Sequence, residues 1–248
     1  MTSEEITPMD AYFRKLFGKR NIQTSENKAL ENMRKADEER KTSHSAKELE
    51  GFIYVPSINL YMAKERTFKG ESWNETHKLL QKENKFMPTI YHFTEYLKYL
   101  KTDYQDRDEA DEILDDILKT GDYRAEWLDA KFEKRKNGLY LLSDHRIENK
   151  KLIAKSEHPL ESCLMEDSYV DFDFNSQGLP TSKSKSQKYE QGENLYFYPP
   201  VDGRVARFGV SSGNANLNCY DGAPDYSSGG LGVFPCAEGA MKKSGGIK

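Results

Sequence analysis

From Asn214 to Tyr220 the chain alternates two kinds of side chain. Asn214, Asn216, Asn218 and Tyr220 take one parity, and Ala215, Leu217 and Cys219 take the other. Side chains two apart lie on the same face of a strand, so this pattern requires an extended segment with one small apolar face against a core. The opposite face is a row of amide and phenol groups, where a solvated strand in so charged a chain would carry Lys, Glu and Thr. The surrounding stretch from Ser211 to Gly230, SSGNANLNCYDGAPDYSSGG, contains no Lys, Arg, Glu, Gln, Met or Trp. It is anchored by RVARFGV before it and LGVFPC after it. Tyr, Ser, Gly and Asn are the residues that antibody loops favour. Tyr gives contact area at low entropy cost, and the others give adaptable hydrogen bonding.

The rest of the chain supplies a frame of mixed type. Residues 1–51 read as a charged helical extension ended by Gly51. FIYVPSINLYMAKERTF, from Phe52 to Phe68, is rich in β-branched and aromatic residues and is broken at Pro56, which predicts two short strands or one bent strand. Helical patterns follow. Ser72 and Glu75 fit a capping box. Pro88 suits a helix entry, ahead of Ile90, Phe93, Leu97 and Leu100 at helical spacing. Ile113, Leu114, Ile117 and Leu118 form one face of a third helix that is expected to stop at Gly121. Strand signals return at YRAEWLDAKF, with an Asn137-Gly138 turn before LYLL. Residues 144–193 are irregular and polar and read as long loops or an insertion. NLYFY, RVARFGV, NANLNCY and GLGVF then read as short strands. Strands, helices and again strands make an α+β domain.

Composition excludes several functions. With a net charge of −4 there is no global attraction to nucleic acid or to an anionic membrane. No apolar run reaches the ~20 residues of an integral membrane segment, and MTSEEITPMDAYFRK has no signal-peptide core. A cytoplasmic location is the default, with surface display left open. The five histidines, at 44, 77, 92, 145 and 158, show no metal-ligand spacing, so no metal or other cofactor is expected. His77 and His92 read as surface or boundary residues. No phosphate loop, nucleophile elbow or zinc-protease signature is present, and the acidic run at Asp103–Asp116 reads as a solvated helix face. Cys219, in the alternating strand, reads as a buried small hydrophobe. On these grounds the chain is not expected to be an enzyme.

Every residue from Val210 to Val233 belongs to the set encoded by codons ending in a pyrimidine after two free bases. The residues outside that set that are common here (Lys, Glu, Gln, Met and Trp) make up more than a quarter of the remaining chain. Random replacement of adenines in AAC or AAT codons yields only such codons and never a stop. With RVARFGVSSGNANLNCYDGAPDYSSGGLGV, the C-terminal region resembles the variable proteins of diversity-generating retroelements, in particular an archaeal group that includes nanoarchaea. Phe52–Thr67, YRAEWLDAKF and NLYFYPP are similar to the same group, so the resemblance covers most of residues 52–236. It implies a C-type-lectin-like domain over 52–236, with a variable region at about 205–236 and a tail at 237–248. It also implies an apolar frame of Val205, Ala206, Phe208, Leu217, Cys219, Leu231 and Val233. The displayed, ligand-binding positions it implies are Ser211, Ser212, Asn214, Asn216, Asn218, Tyr220, Asp221, Ala223, Asp225, Tyr226 and Ser227. The partner is then a protein or another surface ligand whose identity the family does not fix. Phe234 stands where many relatives carry a basic residue, so the closing strand is expected to terminate differently. The broader fold is shared with formylglycine-generating enzymes, which gives an alternative reading as an oxidase using Cys219 and Cys236.

Overall fold

The structure, a computed structural model, describes residues 49–239. The helical extension expected at 1–51 therefore lies outside the described residues except for its last three, which form a turn in which Phe52 N donates to Leu49 O at 3.0 Å. The Phe52–Phe68 segment forms a hairpin, β1 (Phe52–Val55) and β2 (Leu60–Ala63), turned through Pro56 and Asn59, the latter at φ +54. Three helices follow: α1 (Trp73–Lys82), α2 (Ile90–Thr102) and α3 (Arg107–Leu118).

Each helix begins where a side chain satisfies the free N–H groups of its first turn. Ser72 Oγ accepts from Glu75 N at 3.3 Å, but the Glu75 carboxylate pairs with Lys78 and does not reach back, so only half of the expected box forms. The full box is at α2, where Thr89 Oγ1 accepts from His92 N at 3.1 Å and His92 Nδ1 accepts from Thr89 N at 3.4 Å. Asp106 caps α3, and the acidic run does lie on this helix. Contrary to the expected stop at Gly121, α3 ends at Leu118: Lys119 has extended dihedrals (φ −66, ψ 120), so the chain is already out of the helix before the glycine.

Eight strands make the main sheet: β3 (Arg124–Arg135), β4 (Gly138–Glu148), β5 (Lys151–Pro159), β6 (Ser168–Asp171), β7 (Asn194–Tyr198), β8 (Val205–Val210), β9 (Ala215–Asn218) and β10 (Leu231–Gly232). Their order is β5-β4-β3-β8-β9-β7-β6, with β10 parallel to one end of β3. β3 and β4 are joined by a two-residue loop, Lys136-Asn137, and Gly138 at φ +132 opens β4, one position from the expected Asn137-Gly138 turn. β11 (Cys236–Glu238) adds to β2 in a separate three-stranded sheet. The domain thus runs past 236 into what reads as tail. Residues 240–248 lie outside the described set.

One correction concerns the polar half of the chain. Residues 144–193 are not simply loops: the end of β4, all of β5 and β6 lie there. The β4–β5 hairpin turns at Asn149-Lys150, both at positive φ (+50 and +65), the geometry of a tight primed turn. β5 is an edge strand rich in Lys, Glu and Ser with little buried surface, so its sequence carries no apolar alternation, and charge protects its free edge. Phe234, read as a departure at the closing strand, is wholly buried, with its ring 6.0 Å from Phe93.

The larger core joins Phe93, Tyr96, Leu97 and Leu100 of α2 to Phe197, Phe208 and Leu217 of the sheet. A smaller one joins Trp73, Leu80 and Met87 to Trp127, Val205, Leu231 and Val233. Both indoles find a carbonyl: Trp73 Nε1 donates to Leu128 O at 2.8 Å and Trp127 Nε1 to Glu71 O at 3.0 Å. These bonds fix α1 across β3. Among the described residues no helix is long and apolar enough to cross a membrane.

Candidate functional site

The alternation at β9 holds. Ala215, Leu217 and Cys219 are buried, as are the other frame residues Val205, Ala206, Phe208, Leu231 and Val233. On the other parity Asn214 and Asn216 are half-buried, and Tyr220 is 55% exposed. Of the remaining displayed positions, Ser212, Asp221, Asp225, Tyr226 and Ser227 are exposed, and Ser211 and Ala223 are half-buried.

Asn218 departs from this set. It is only 7% exposed, and its Oδ1 accepts from Tyr220 N at 3.0 Å and Asp221 N at 3.2 Å. Such a side-chain turn orients the chain leaving the strand, so Asn218, expected on the open face, is buried instead and serves the local backbone. Asp221 and Asp225 are displayed but tethered, Asp221 by Arg207 Nη2 at 2.6 Å and Asp225 by Asn74 Nδ2 at 2.6 Å.

Two glycines hold the loop between them. A Cβ on Gly222 would lie 2.1 Å from Val205 O, and one on Gly230 would lie 2.7 Å from Tyr123 O. At both points backbone approaches backbone too closely for any side chain. Beneath the second, Arg66 Nη1 donates to Gly230 O at 3.1 Å, and Arg66 Nε lies 3.5 Å from Glu126. Glu126 is buried, and its pKa is pushed up to about 7: burial outweighs the pull of Arg124 and Arg66, and Asp116 adds to the rise.

The register extends this face beyond the displayed positions, because side chains of directly paired residues project on the same side. Asn216 pairs with Tyr196, Asn218 with Tyr198 and Arg207, and Tyr196 in turn with Tyr169. The Tyr169 and Tyr198 rings each lie 4.9 Å from that of Tyr196, edge to face. Three half-buried tyrosines thus continue the asparagine row. The signal was local: NLYFY itself alternates, with Leu195 and Phe197 in the core.

A second cluster lies beside α1. Trp73, His77 and Leu80 share the buried stripe of that helix, so His77 is 4% exposed and is not the surface or boundary residue expected. His92, half-buried, is at the boundary. Asp144, at φ +52, kinks β4 beyond the last residue that pairs with β3. The next residue, His145, gives both its backbone N–H (to Asp129 Oδ2, 3.0 Å) and its Nδ1 to Asp129 on β3. His77 Nε2 lies 3.6 Å from Asp129 Oδ1 and has no hydrogen-bond partner. The ligand atoms of His77, Asp129 and His145 lie within 4.8 Å of one another, a proximity that spacing along the sequence does not show.

Burial lowers the His77 pKa to about 4, against the attraction of Asp129. Burial raises the Asp129 carboxyl, but hydrogen bonding from His145 and electrostatic attraction towards His77 and His145 outweigh it and the net shift is downward. A pocket of about 330 Å³ opens beside this cluster, lined among others by Trp73, Asn74, Lys131 and His145, and by Pro224 and Asp225 of the display loop.

Cys219 and Cys236 are both buried, and burial pushes both thiols well above their ordinary range. Cys236 Sγ contacts Met62 Sδ at 3.0 Å. Neither has the exposed, electropositive setting of a reactive thiolate.

Comparison with protein-family models, with curated proteins and with solved structures finds no match to this chain.

Proposed function

We propose that this chain is a ligand-binding protein whose C-terminal surface is diversified by a retroelement reverse transcriptase, on a C-type-lectin-like frame, and that it binds a protein or other surface ligand without catalysing a reaction. The observation that carries this reading is the split within one short segment. Ala215, Leu217 and Cys219 are sealed in the core, whereas Asn214 and Asn216 between and before them are half-buried and Ser212, Tyr220, Asp221, Asp225, Tyr226 and Ser227 around them are exposed. Tyr220 and Tyr226, 55% and 49% exposed, are the anchors with most area to bury against a partner. Asn214, Asn216 and the serines supply hydrogen bonds, while Tyr169, Tyr196 and Tyr198 form a constant margin beside the variable one.

A pair of libraries tests the separation of frame from display. Pyrimidine-ending random codons are placed at all the displayed positions except Asn218 in one library, and at Ala215, Leu217, Cys219 and Gly222 in the other. Most members of the first are expected to fold, because their positions are exposed or half-buried; the largest loss is expected at Asp221, whose removal leaves the mostly buried Arg207 side chain without its carboxylate. Most members of the second are expected to unfold, since emptying the Leu217 site costs about 2–5 kcal/mol and overpacking at Ala215, Cys219 or Gly222 about 1–3 kcal/mol each. Equal losses of protease-resistant protein in the two libraries would remove the basis of the proposal.

A further inference from the structure

We propose that His77 Nε2, Asp129 Oδ1 and His145 Nδ1 form a binding site for a first-row divalent transition ion of the zinc class, with its free coordination position towards the pocket beside α1. Three elements supply one donor each: α1, β3 and β4. The donor atoms already lie within 4.8 Å of one another. Tetrahedral zinc with bonds of about 2.0–2.1 Å places its ligand atoms roughly 3.3 Å apart, close to the 3.6 Å between His77 and Asp129. The contact of His145 with Asp129 is a direct hydrogen bond, and it opens to that spacing when the ion takes the place of the shared proton, which moves to Nε2 of the ring.

The independent observation is His77 Nε2. It is buried and has no hydrogen-bond partner, although it faces a carboxylate. A merely structural histidine in this position would complete a hydrogen bond. Here the unpartnered Nε2 stands 3.6 Å from a carboxylate oxygen, the spacing of two ligands on one cation. Trp73 fixes both rings edge-on, with centroids 4.3 Å from His77 and 4.8 Å from His145. Two imidazoles and one carboxylate suit Zn²⁺, Co²⁺ or Fe²⁺, whereas Mg²⁺ and Ca²⁺ prefer oxygen donors. Three protein ligands leave a position for water or a donor atom of a bound molecule. Trp73 and His145 line the pocket, and Asp225 of the display loop forms part of the same wall.

The test uses the full chain, stripped of metal with a chelator and titrated with Co²⁺ and then Zn²⁺. The expected result is one Co²⁺ per chain with the visible absorption of a low-coordinate site, displaced by Zn²⁺, and a thermal midpoint that rises with added Zn²⁺. His77→Gln and Asp129→Asn should each weaken binding more than 100-fold while retaining the parental far-UV circular dichroism. X-ray absorption of the wild-type zinc form should show two imidazole ligands, a readout that stands even if a variant fails to fold. Absence of a Co²⁺ spectrum and of any Zn²⁺-dependent midpoint in the wild type would overturn the assignment. Undiminished binding in folded His77→Gln would overturn it equally, by placing the metal elsewhere.

Discussion

Gly222→Ala lowers the thermal midpoint by roughly 6–12 °C, although the residue lies in a surface loop. A Cβ there would meet Val205 O at 2.1 Å, and the only relief is to pull the two backbones apart. That movement breaks the bond from Val205 N to Gly222 O, now 2.9 Å, and disturbs the entry to β8, where Phe132 N donates to Arg204 O at 2.8 Å. Overpacking against backbone costs about 3 kcal/mol, which gives the shift stated for a domain of this size. Gly213→Ala is the control. It lies in the same segment with nothing within 4 Å of its Cβ position, so its midpoint should stay within about 1–2 °C of the parent. Calorimetry on the two variants decides the matter: equal midpoints would mean that the loop does not rest on β8.

Glu126→Gln is expected to stabilise the protein in a pH-dependent way. The folded carboxyl has its pKa raised from 4.5 to about 7 by burial, despite Arg124 and Arg66. A raised carboxyl pKa contributes stability that is present below pH 4.5 and is lost as pH rises through 7. Glutamine mimics the neutral acid and loses nothing, so the variant should gain about 3 kcal/mol on wild type between pH 4.5 and 8. His77 works in the opposite sense. Its folded pKa is lowered from 6.5 to about 4, so its contribution is present above pH 6.5 and lost as pH falls through 4. The two slopes oppose each other in the wild type, and only the difference between variant and wild type isolates Glu126. Urea unfolding at pH 4.5, 6 and 8 measures it. A difference that does not change with pH would show that the two arginines keep Glu126 ionised throughout.

The strand–helix–strand order and the β1–β2 hairpin were legible in the sequence because periodicity is local and each of those segments has a buried face of its own. β5 was not, since an edge strand takes its hydrogen bonds from β4 and needs no apolar alternation. The buried parity of β9 was readable for the same reason that β1 was. Asn218 was misread because period two assigns it to the open face, whereas its side chain turns back to the amides of Tyr220 and Asp221. The histidine cluster was invisible for a different reason. His77, Asp129 and His145 are separated by 52 and 16 positions, and the fold alone brings them together. The helical spacing of Trp73, His77 and Leu80 was the one local sign that His77 faces inward.

Diversification is a claim about DNA, and the DNA beside this gene tests it most directly. The account predicts a non-coding near-copy of the final coding segment close to a reverse-transcriptase gene. That copy should carry AAC or AAT at the codons for Ser212, Asn214, Tyr220 and Asp225, with matching sequence at Leu217 and Leu231. A flanking region with neither template nor transcriptase would contradict it, and the pyrimidine-codon run from Val210 to Val233 would then be a coincidence of loop composition.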